Sequence, residues 1–230
     1  MNQAEIKNIP KCIGIIPDGN RRWAKEHGLP TFEGHRKGAQ IFEPIVLAAR
    51  DFGIEHVAVF AFSTENWNRP AKEISYLMDL FLDTIKNFLA RLAKENIAVR
   101  FVGEHERFSE KLQNAMQDAE KNNPETPALT LWLCLSYGGR ADIVQAANSL
   151  AAEGKPIIEE SLRSRLWTAG MPDTDLIIRT SGEQRISNFL LWQSAYSELF
   201  FPKVYWPDFT KKELELVLKE YAGRERRMGA

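Results

Sequence analysis

The sequence predicts an α/β fold, built as one domain with a mainly parallel central sheet flanked by helices. Two observations predict it. Short apolar runs bounded by turn residues alternate with longer stretches in which apolar residues recur at helical spacing. The 230 residues, 44% of them hydrophobic, suffice for one large core, and no repeat or Gly-, Pro- or Ser-rich linker divides the chain. We therefore treat residues 1–230 as a single domain.

Five apolar runs predict the strands, because short runs rich in Ile, Val and Leu are typical of strands buried in a parallel sheet. In chain order they are residues 12–16, 56–62, 98–102, 129–135 and 176–179. The segments between them predict helices, the first beginning at Trp23 and the others spanning residues 39–52, 75–95, 105–122, 140–153, 158–167, 188–199 and 211–227. Polar segments follow directly after four of the strands. Ligands of parallel sheets bind at the carboxyl ends of the strands, so these segments should meet on one rim.

Composition excludes several classes of function. The 30 Lys and Arg against 31 Asp and Glu leave a net charge of -1, so no broad basic surface is expected for nucleic acid. Cys12 and Cys134 lie in apolar runs without metal-ligand spacing, which indicates reduced core thiols of a cytoplasmic protein. The first residues lack a signal-peptide pattern, and no apolar run approaches the roughly 18 residues that suggest a transmembrane segment.

Residues 14–23, with the sequence GIIPDGNRRW, run from a strand through a tight turn into a helix start. A helix N-terminus favours an anion, Gly19 permits close approach of the backbone, and Arg21 and Arg22 add fixed positive charge. Asp18 would repel a phosphate unless a cation lay between them. It is therefore interpreted as a Mg²⁺ ligand next to a diphosphate, or alternatively as a helix N-cap.

This stretch resembles the first signature of the cis-prenyltransferases, the undecaprenyl diphosphate synthase family. Four further segments resemble that family in the family's order: FSTENWNRP at 62–70, SYGGR at 136–140, DLIIRTSGEQRISNF at 175–189 and RERRMG at 224–229. Together they span nearly the whole chain. The chain departs from the common pattern at Pro17 and Arg21, where relatives often carry Met and Gly, and at Thr31, where a basic residue is frequent. Thr31 can offer a phosphate only a hydroxyl hydrogen bond.

The resemblance implies a homodimeric, Mg²⁺-dependent enzyme that condenses isopentenyl diphosphate onto an allylic diphosphate, such as farnesyl diphosphate, with new Z double bonds. It also implies an apolar tunnel for the growing chain and a medium-chain polyprenyl diphosphate that serves as the lipid carrier for cell-wall glycans. Release of such a product would bring the protein into transient contact with a membrane surface. A short-chain Z-prenyl diphosphate synthase and a non-catalytic partner subunit are the alternatives.

The same resemblance assigns roles to residues. Asp18 and Asn66 are implied to be catalytic, Asn66 by assisting proton removal, and Asp18 and Glu198 to hold the metal. Glu73 is expected to orient Arg69, and the tail at 227–229 to reach the partner's site. Substrate binding is implied for Gly19, Asn20, Arg21, Arg22, Trp23, Thr31, His35, Ser63, Thr64, Glu65, Trp67, Arg69, Arg179, Arg185, Ile186 and Ser187.

Some of these residues also have a purely structural interpretation. The polar residues at 63–70 could form a turn with Trp67 in the core, and Arg179 and Arg185 could form a surface ion-pair cluster with Glu183. The cluster is disfavoured because Arg179 ends an apolar strand, where its charge needs a partner. A P-loop nucleotide enzyme is excluded by the absence of GxxxxGK[ST], and a trans-prenyltransferase by the absence of an Asp-Asp pair.

The strand at 129–135 is predicted to set product length. Alternation places Leu129, Leu131, Leu133 and Leu135 on one face, as a tunnel wall or as ordinary core beneath a helix. Many relatives carry a small residue at the position of Leu135, so the larger side chain predicts a narrower tunnel and a product shorter than undecaprenyl. Ala61 on the neighbouring strand would keep the upper tunnel open.

Overall fold

The computed structural model describes residues 6–225 and contains a six-stranded sheet. Its strands are β1 Cys12–Ile16, β2 His56–Ser63, β3 Ile97–Val102, β4 Leu129–Tyr137, β5 Leu176–Arg179 and β6 Glu198–Phe200. Their order is β3-β4-β2-β1-β5-β6, and every neighbouring pair is parallel. The predicted α/β fold with a parallel central sheet is confirmed.

Helices connect the strands. They are α1 Asn20–Glu26, α2 Thr31–Asp51, α3 Ala71–Thr84, α4 Ala90–Leu92, α5 Glu110–Lys121, α6 Gly139–Ala152, α7 Glu159–Arg163 and α8 Lys211–Ala222, with a π-helical turn at Ile85–Leu89 between α3 and α4. The helix predicted at 75–95 is therefore interrupted, and the one predicted at 105–122 begins only at Glu110 after a short 3-10 turn. No described helix is long and apolar enough to cross a membrane.

Helix α2 begins eight residues before the predicted start. The additional residues include Gly34 and Gly38, which lie inside the helix and are buried. A Cβ on Gly34 would lie 2.0 Å from the carbonyl oxygen of Asn20, and one on Gly38 would lie 2.5 Å from the Asn20 side-chain oxygen. The two glycines thus serve close packing of α2 against α1. A sequence pattern alone presents them as helix breakers.

The helix predicted at 188–199 is wrong. Ser187, Asn188 and Leu190 have positive φ angles, which an α-helix cannot accommodate, and residues 189–196 form turns instead. The segment then ends in the short edge strand β6, which was missed. This correction moves Glu198 from a helix to the first residue of a strand.

The two faces of the sheet bury separate cores. Leu129, Leu131, Leu133 and Leu135 all belong to the larger core, which lies under α2, α3, α5 and α8. Cys12, Trp132 and Cys134 belong to the core on the opposite face, as the alternation predicts. Both cysteines are buried and free, and burial raises the pKa of each thiol, so they pack as core side chains.

Candidate active site

The polar segments after β1, β2, β4 and β5 meet at the carboxyl edge of the sheet, as predicted. They enclose a cavity of about 600 Å³ whose lining includes Asp18, His35, Asn66, Arg69, Arg179 and Ser187. A neighbouring cavity of about 310 Å³ is lined by residues of the first segment, among them Gly19, Asn20, Arg21 and Arg22. The rule that parallel sheets bind ligands at this edge thus predicted where these polar segments meet.

Asp18 lies at the centre of a hydrogen-bond network. Its Oδ2 accepts from Nη2 of Arg179 at 2.7 Å and from Nε at 3.2 Å, and its Oδ1 accepts from the backbone N–H of Gly19 at 2.7 Å. The backbone of Asp18 is fixed by Thr180, whose Oγ1 accepts from the Asp18 N–H and donates to its carbonyl. Partial burial works to raise the pKa of Asp18, but Arg179, with Arg22 and the Gly19 N–H, holds it below its ordinary value.

Gly19 is the N-cap residue of α1, and no side chain caps this helix. The alternative interpretation of Asp18 as the N-cap is therefore wrong. Gly19 has a φ of 105°, in the left-handed region, and a Cβ there would lie 2.6 Å from the ring of Tyr205. Only glycine fits this position, and the turn it makes carries Asp18 into the cavity.

Arg179 joins the first and fourth segments. Its side chain is only 7% exposed, and Nη1 donates to the Arg185 carbonyl at 2.8 Å and to Oγ of Ser187 at 2.7 Å. The buried charge of Arg179 at the end of β5 is thus paired with the Asp18 carboxylate. Ile186, between them, packs its side chain against the smaller core and not into the cavity.

A surface ion-pair cluster around Glu183 also exists, and it includes Arg185 but not Arg179. Glu183 accepts from Nη1 of Arg22 at 2.7 Å and from Nη1 of Arg185 at 2.5 Å. Arg22 further donates to Oγ of Ser181 at 2.5 Å. One carboxylate therefore joins a cation of the first segment, Arg22, to a cation of the fourth, Arg185.

The second segment forms a 3-10 turn, Thr64–Asn68, closed by a hydrogen bond from the Ser63 N–H to Oδ1 of Asn66 at 3.2 Å. Trp67 is held on three sides, as the core interpretation expected: it packs edge-on against Phe62, lies under the guanidinium of Arg107, and donates to Oγ of Ser136 at 2.9 Å. Ser63, Glu65, Asn66 and Arg69 line the larger cavity. Thr64 and Trp67 belong to the same turn but do not line this cavity.

Glu73 contacts Arg69 as expected. Its Oε1 accepts from Nη1 of Arg69 at 3.3 Å and lies 3.2 Å from Nε2 of His35. Burial lowers the pKa of His35, with Arg69 and Arg21 acting in the same direction and Glu73 opposing them. A neutral imidazole beside this carboxylate can donate a hydrogen bond from Nε2 and still face the cavity.

Two residues that the resemblance assigns to substrate binding, Trp23 and Thr31, line neither polar cavity. Trp23 is buried and stacks on His27 with ring centroids 4.2 Å apart, so it anchors α1. Thr31 is the first residue of α2 and lines neither polar cavity. The short Thr31 side chain therefore does not reach either polar cavity.

Glu198 is not brought to Asp18. It lies level with Leu176 and Ile13 across the sheet, so about 16 Å of strand separates it from Asp18, and it accepts from Nη1 of Arg224 at 2.6 Å. The prediction that these two carboxylates share a metal is wrong within one chain, because Glu198 begins a parallel strand and so lies at its amino end. Within residues 6–225 no group of three His, Cys, Asp or Glu side chains could hold a metal. The tail at 227–229 lies outside the described residues.

An apolar cavity of about 120 Å³ continues from the polar one, between the sheet and helices α2 and α3. Leu133, Leu135 and Ala61 line it, and His35, Ala61 and Leu77 line both cavities. Leu129 and Leu131 are fully buried and do not line it. Two of the four leucines therefore form a cavity wall, and the other two are core.

Asn188 connects three of the segments and was missed. Its Nδ2 donates to Oε1 of Glu65 at 3.0 Å, its Oδ1 accepts from the Arg140 N–H at 2.9 Å, and its carbonyl accepts from the Gly139 N–H at 2.7 Å. Its φ of 66° is compatible with Asn, which tolerates the left-handed region better than most residues. An Asn within the polar segment that follows β5 is the only signal the sequence offers.

Comparison with known proteins agrees with this geometry. Residues 16–229 match a family model described as putative undecaprenyl diphosphate synthase. An isoprenyl transferase of Chromobacterium violaceum is 48% identical, with 98% of this chain and 90% of that one covered, and one of Thermotoga maritima is 45% identical over 96% and 97%. Among solved structures, lavandulyl diphosphate synthase from Lavandula x intermedia in complex with dimethylallyl diphosphate gives a TM-score of 0.93 at 34% identity over 96% and 99%. A probable undecaprenyl diphosphate synthase from Campylobacter jejuni gives 0.83 at 30% over 97% and 100%.

Proposed function

The chain belongs to the undecaprenyl diphosphate synthase family of cis-prenyltransferases, and from this premise we propose that it condenses isopentenyl diphosphate onto an allylic diphosphate such as farnesyl diphosphate, with Z double bonds. One observation carries the proposal. A polar cavity bordered by two groups of guanidiniums opens directly into an apolar cavity. This arrangement suits two anionic head groups side by side and one apolar tail.

Each half of the polar site suits one substrate. The allylic diphosphate would bind at the start of α1, near Asn20, Arg21 and Arg22, and the second diphosphate near Arg179 and Ser187. As the allylic C–O bond breaks, its electron pair leaves with the diphosphate, and fixed guanidiniums stabilise that charge. The double bond of isopentenyl diphosphate supplies the electron pair of the new C–C bond, and loss of a proton, assisted by Asn66, restores a double bond.

Asp18 fits the role of magnesium ligand. Mg²⁺ in phosphate-transfer sites is bound by one or two carboxylates together with substrate oxygens and water, so a lone carboxylate suffices. When bound, the ion would neutralise charge on the departing diphosphate. Arg179 and the Gly19 N–H hold the carboxyl group ionised and aimed into the cavity, which is the state a metal ligand requires.

The proposed reaction is tested by incubating purified protein with labelled isopentenyl diphosphate and dimethylallyl, geranyl or farnesyl diphosphate. We expect label to enter an extractable prenyl product when Mg²⁺ is present, and EDTA to abolish it. A non-catalytic partner subunit would incorporate no label with any primer. Product analysis by mass spectrometry separates a medium-chain from a short-chain synthase.

Leu135→Ala is expected to shift products to longer chains with little loss of initial rate, because it removes part of the wall of the apolar cavity. Extension is driven by burial of about 0.8 kcal/mol per CH₂, so a deeper cavity permits further cycles. Leu131→Ala is the matched control: it truncates a leucine of the same strand and face that does not line the cavity. Both variants should lose about 2–5 kcal/mol of unfolding free energy. Identical product distributions in all three proteins would place Leu135 among ordinary core residues.

We further propose that the enzyme is a cytoplasmic homodimer whose product is the lipid carrier for cell-wall glycans. The edge strand β6 lies at one end of the sheet with Leu199 and Tyr196 exposed, and such an edge favours pairing with a second copy. Sedimentation velocity should give twice the chain mass for the wild type and less for Leu199→Lys.

Transient membrane contact is proposed for the start of α2 and the turn before it. Leu29 is 42% exposed and Phe32 47%, and Phe32 packs against Tyr76 of α3, so this apolar pair lies where the two helices that line the apolar cavity meet. Flotation with anionic vesicles should recover the wild type but much less of a Leu29→Ser/Phe32→Ser double variant. Equal recovery would contradict this placement.

A further inference from the structure

Arg140 is a cation of the site to which the sequence gives no role. It is the second residue of α6, directly after the two glycines that follow β4. It lines the larger polar cavity, and also a small cavity of about 150 Å³ that it shares with Glu65, Asn188 and Leu191. Its side chain is exposed, so its guanidinium can contact an anionic ligand in these cavities.

The backbone of Arg140 is fixed in place. Its N–H donates to Oδ1 of Asn188 at 2.9 Å, and the Gly139 N–H donates to the Asn188 carbonyl. A Cβ on Gly138 would lie 2.7 Å from Oγ1 of Thr64, so this turn packs directly against the second segment. Arg140 is therefore held by residues of the site itself. The N–H groups of Gly139 and Arg140 are already engaged, which leaves the guanidinium as the group available to a ligand.

Most guanidiniums of the site already contact a carboxylate. Arg22 and Arg185 pair with Glu183, Arg69 with Glu73, and Arg179 with Asp18. Within residues 6–225, the side chains of Arg21 and Arg140 make no ion pair or hydrogen bond, yet both line the polar cavities. One lies beside the start of α1 and the other beside Asn188, next to Ser187. Each half of the site thus holds one guanidinium whose charge is not neutralised by the protein.

We propose that Arg140 binds the diphosphate of isopentenyl diphosphate, as the counterpart of Arg21 in the allylic half. The inference rests on the proposed function and extends it to a further binding residue. Arg179 directs its guanidinium to Asp18, Ser187 and a carbonyl, so it has little capacity left for two phosphates. A free guanidinium across the same cavity supplies the missing charge and a planar pair of donors.

The test is calorimetric binding of isopentenyl diphosphate with Mg²⁺ and without primer, followed by steady-state kinetics. Arg140→Gln should weaken binding at least tenfold and raise the KM for isopentenyl diphosphate equally, with the KM for farnesyl diphosphate changed less than twofold. Arg140→Lys should recover part of the loss. Arg165→Gln is the control, because Arg165 pairs with Glu153 and lines none of these cavities, so its loss should alter neither constant.

Each outcome is decisive. Unchanged binding in Arg140→Gln, or a change in the KM of the primer alone, would overturn the inference while the proposed function stood. Wild-type protein that bound no isopentenyl diphosphate would instead overturn the proposed function. Because Arg140 is exposed and its backbone supplies the contacts to Asn188, the side-chain variants should keep wild-type circular dichroism and melting temperature.

Discussion

Asp18→Ala is expected to lower kcat by about a thousandfold or more in the presence of saturating Mg²⁺. Among residues 6–225, this carboxylate is the only one lining the cavity beside the start of α1, where the allylic diphosphate is proposed to leave. Loss of a metal ligand at a developing charge removes several kcal/mol of transition-state stabilisation, and each 1.4 kcal/mol is about tenfold in rate. The measurement is single-turnover and steady-state incorporation of labelled isopentenyl diphosphate.

The same variant should also be less stable. A loop position on its own suggests that the fold is left intact, but Asp18 neutralises Arg179, which is only 7% exposed. Removing one partner of such a pair leaves a desolvated charge, and we expect a loss of about 1–3 kcal/mol in unfolding free energy. Asp18→Asn, which keeps one acceptor oxygen, should lose less stability and nearly as much activity.

Glu183→Gln is the matched control for these effects. Glu183 also pairs with two guanidiniums of the site, but it is more exposed and lines neither polar cavity. Its removal should change kcat less than tenfold and leave the melting temperature close to that of the wild type, because exposed ion pairs add little stability. Near-normal kcat in Asp18→Ala with Mg²⁺ would rule out its assignment as the metal ligand.

The parallel sheet could be predicted because its longer strands are mainly apolar and buried, as β1 and β4 illustrate. The edge strand β6 could not. It has three residues, and one of them is Glu198, so no periodicity marks it. The segment before it has helix-forming composition, but tertiary contacts hold Ser187 and Asn188 at positive φ, where Ser187 meets Arg179 and Asn188 meets Glu65. Local propensity yields to such contacts.

The members of the site could be predicted, but not their pairing. The rule that ligands bind at the carboxyl ends of parallel strands predicted that Asp18, Asn66 and Arg179 lie at one edge of the sheet. Which cation meets which carboxylate depends on contacts between residues far apart in the chain, such as Asp18 with Arg179. Glu198 illustrates the limit of that rule: it too belongs to a strand, but to its amino end, and strand polarity rather than composition excluded it from the site.

Arg179 and Arg185 are both assigned to substrate binding, but their side chains differ in burial, 7% against 56% exposed. Arg185→Ala should raise the KM for isopentenyl diphosphate about tenfold, since a charge-assisted hydrogen bond contributes about 1.5–3 kcal/mol. Its side chain is 56% exposed and, in the part of the chain that the structure describes, pairs only with Glu183, so the unfolding free energy should change by less than about 0.5 kcal/mol.

Arg179→Ala should raise the same KM further and also lower stability by about 2–4 kcal/mol, because Asp18, Ser187 and the Arg185 carbonyl all lose their donor in a largely buried site. Asp18 would lose its strongest pairing as well, so kcat should fall together with binding. Arg163→Ala, which breaks an exposed pair with Asp173, is the control and should change neither quantity. Denaturant titration and steady-state kinetics on the three variants decide the matter: if only the KM of the allylic primer rises, the two diphosphate sites are exchanged.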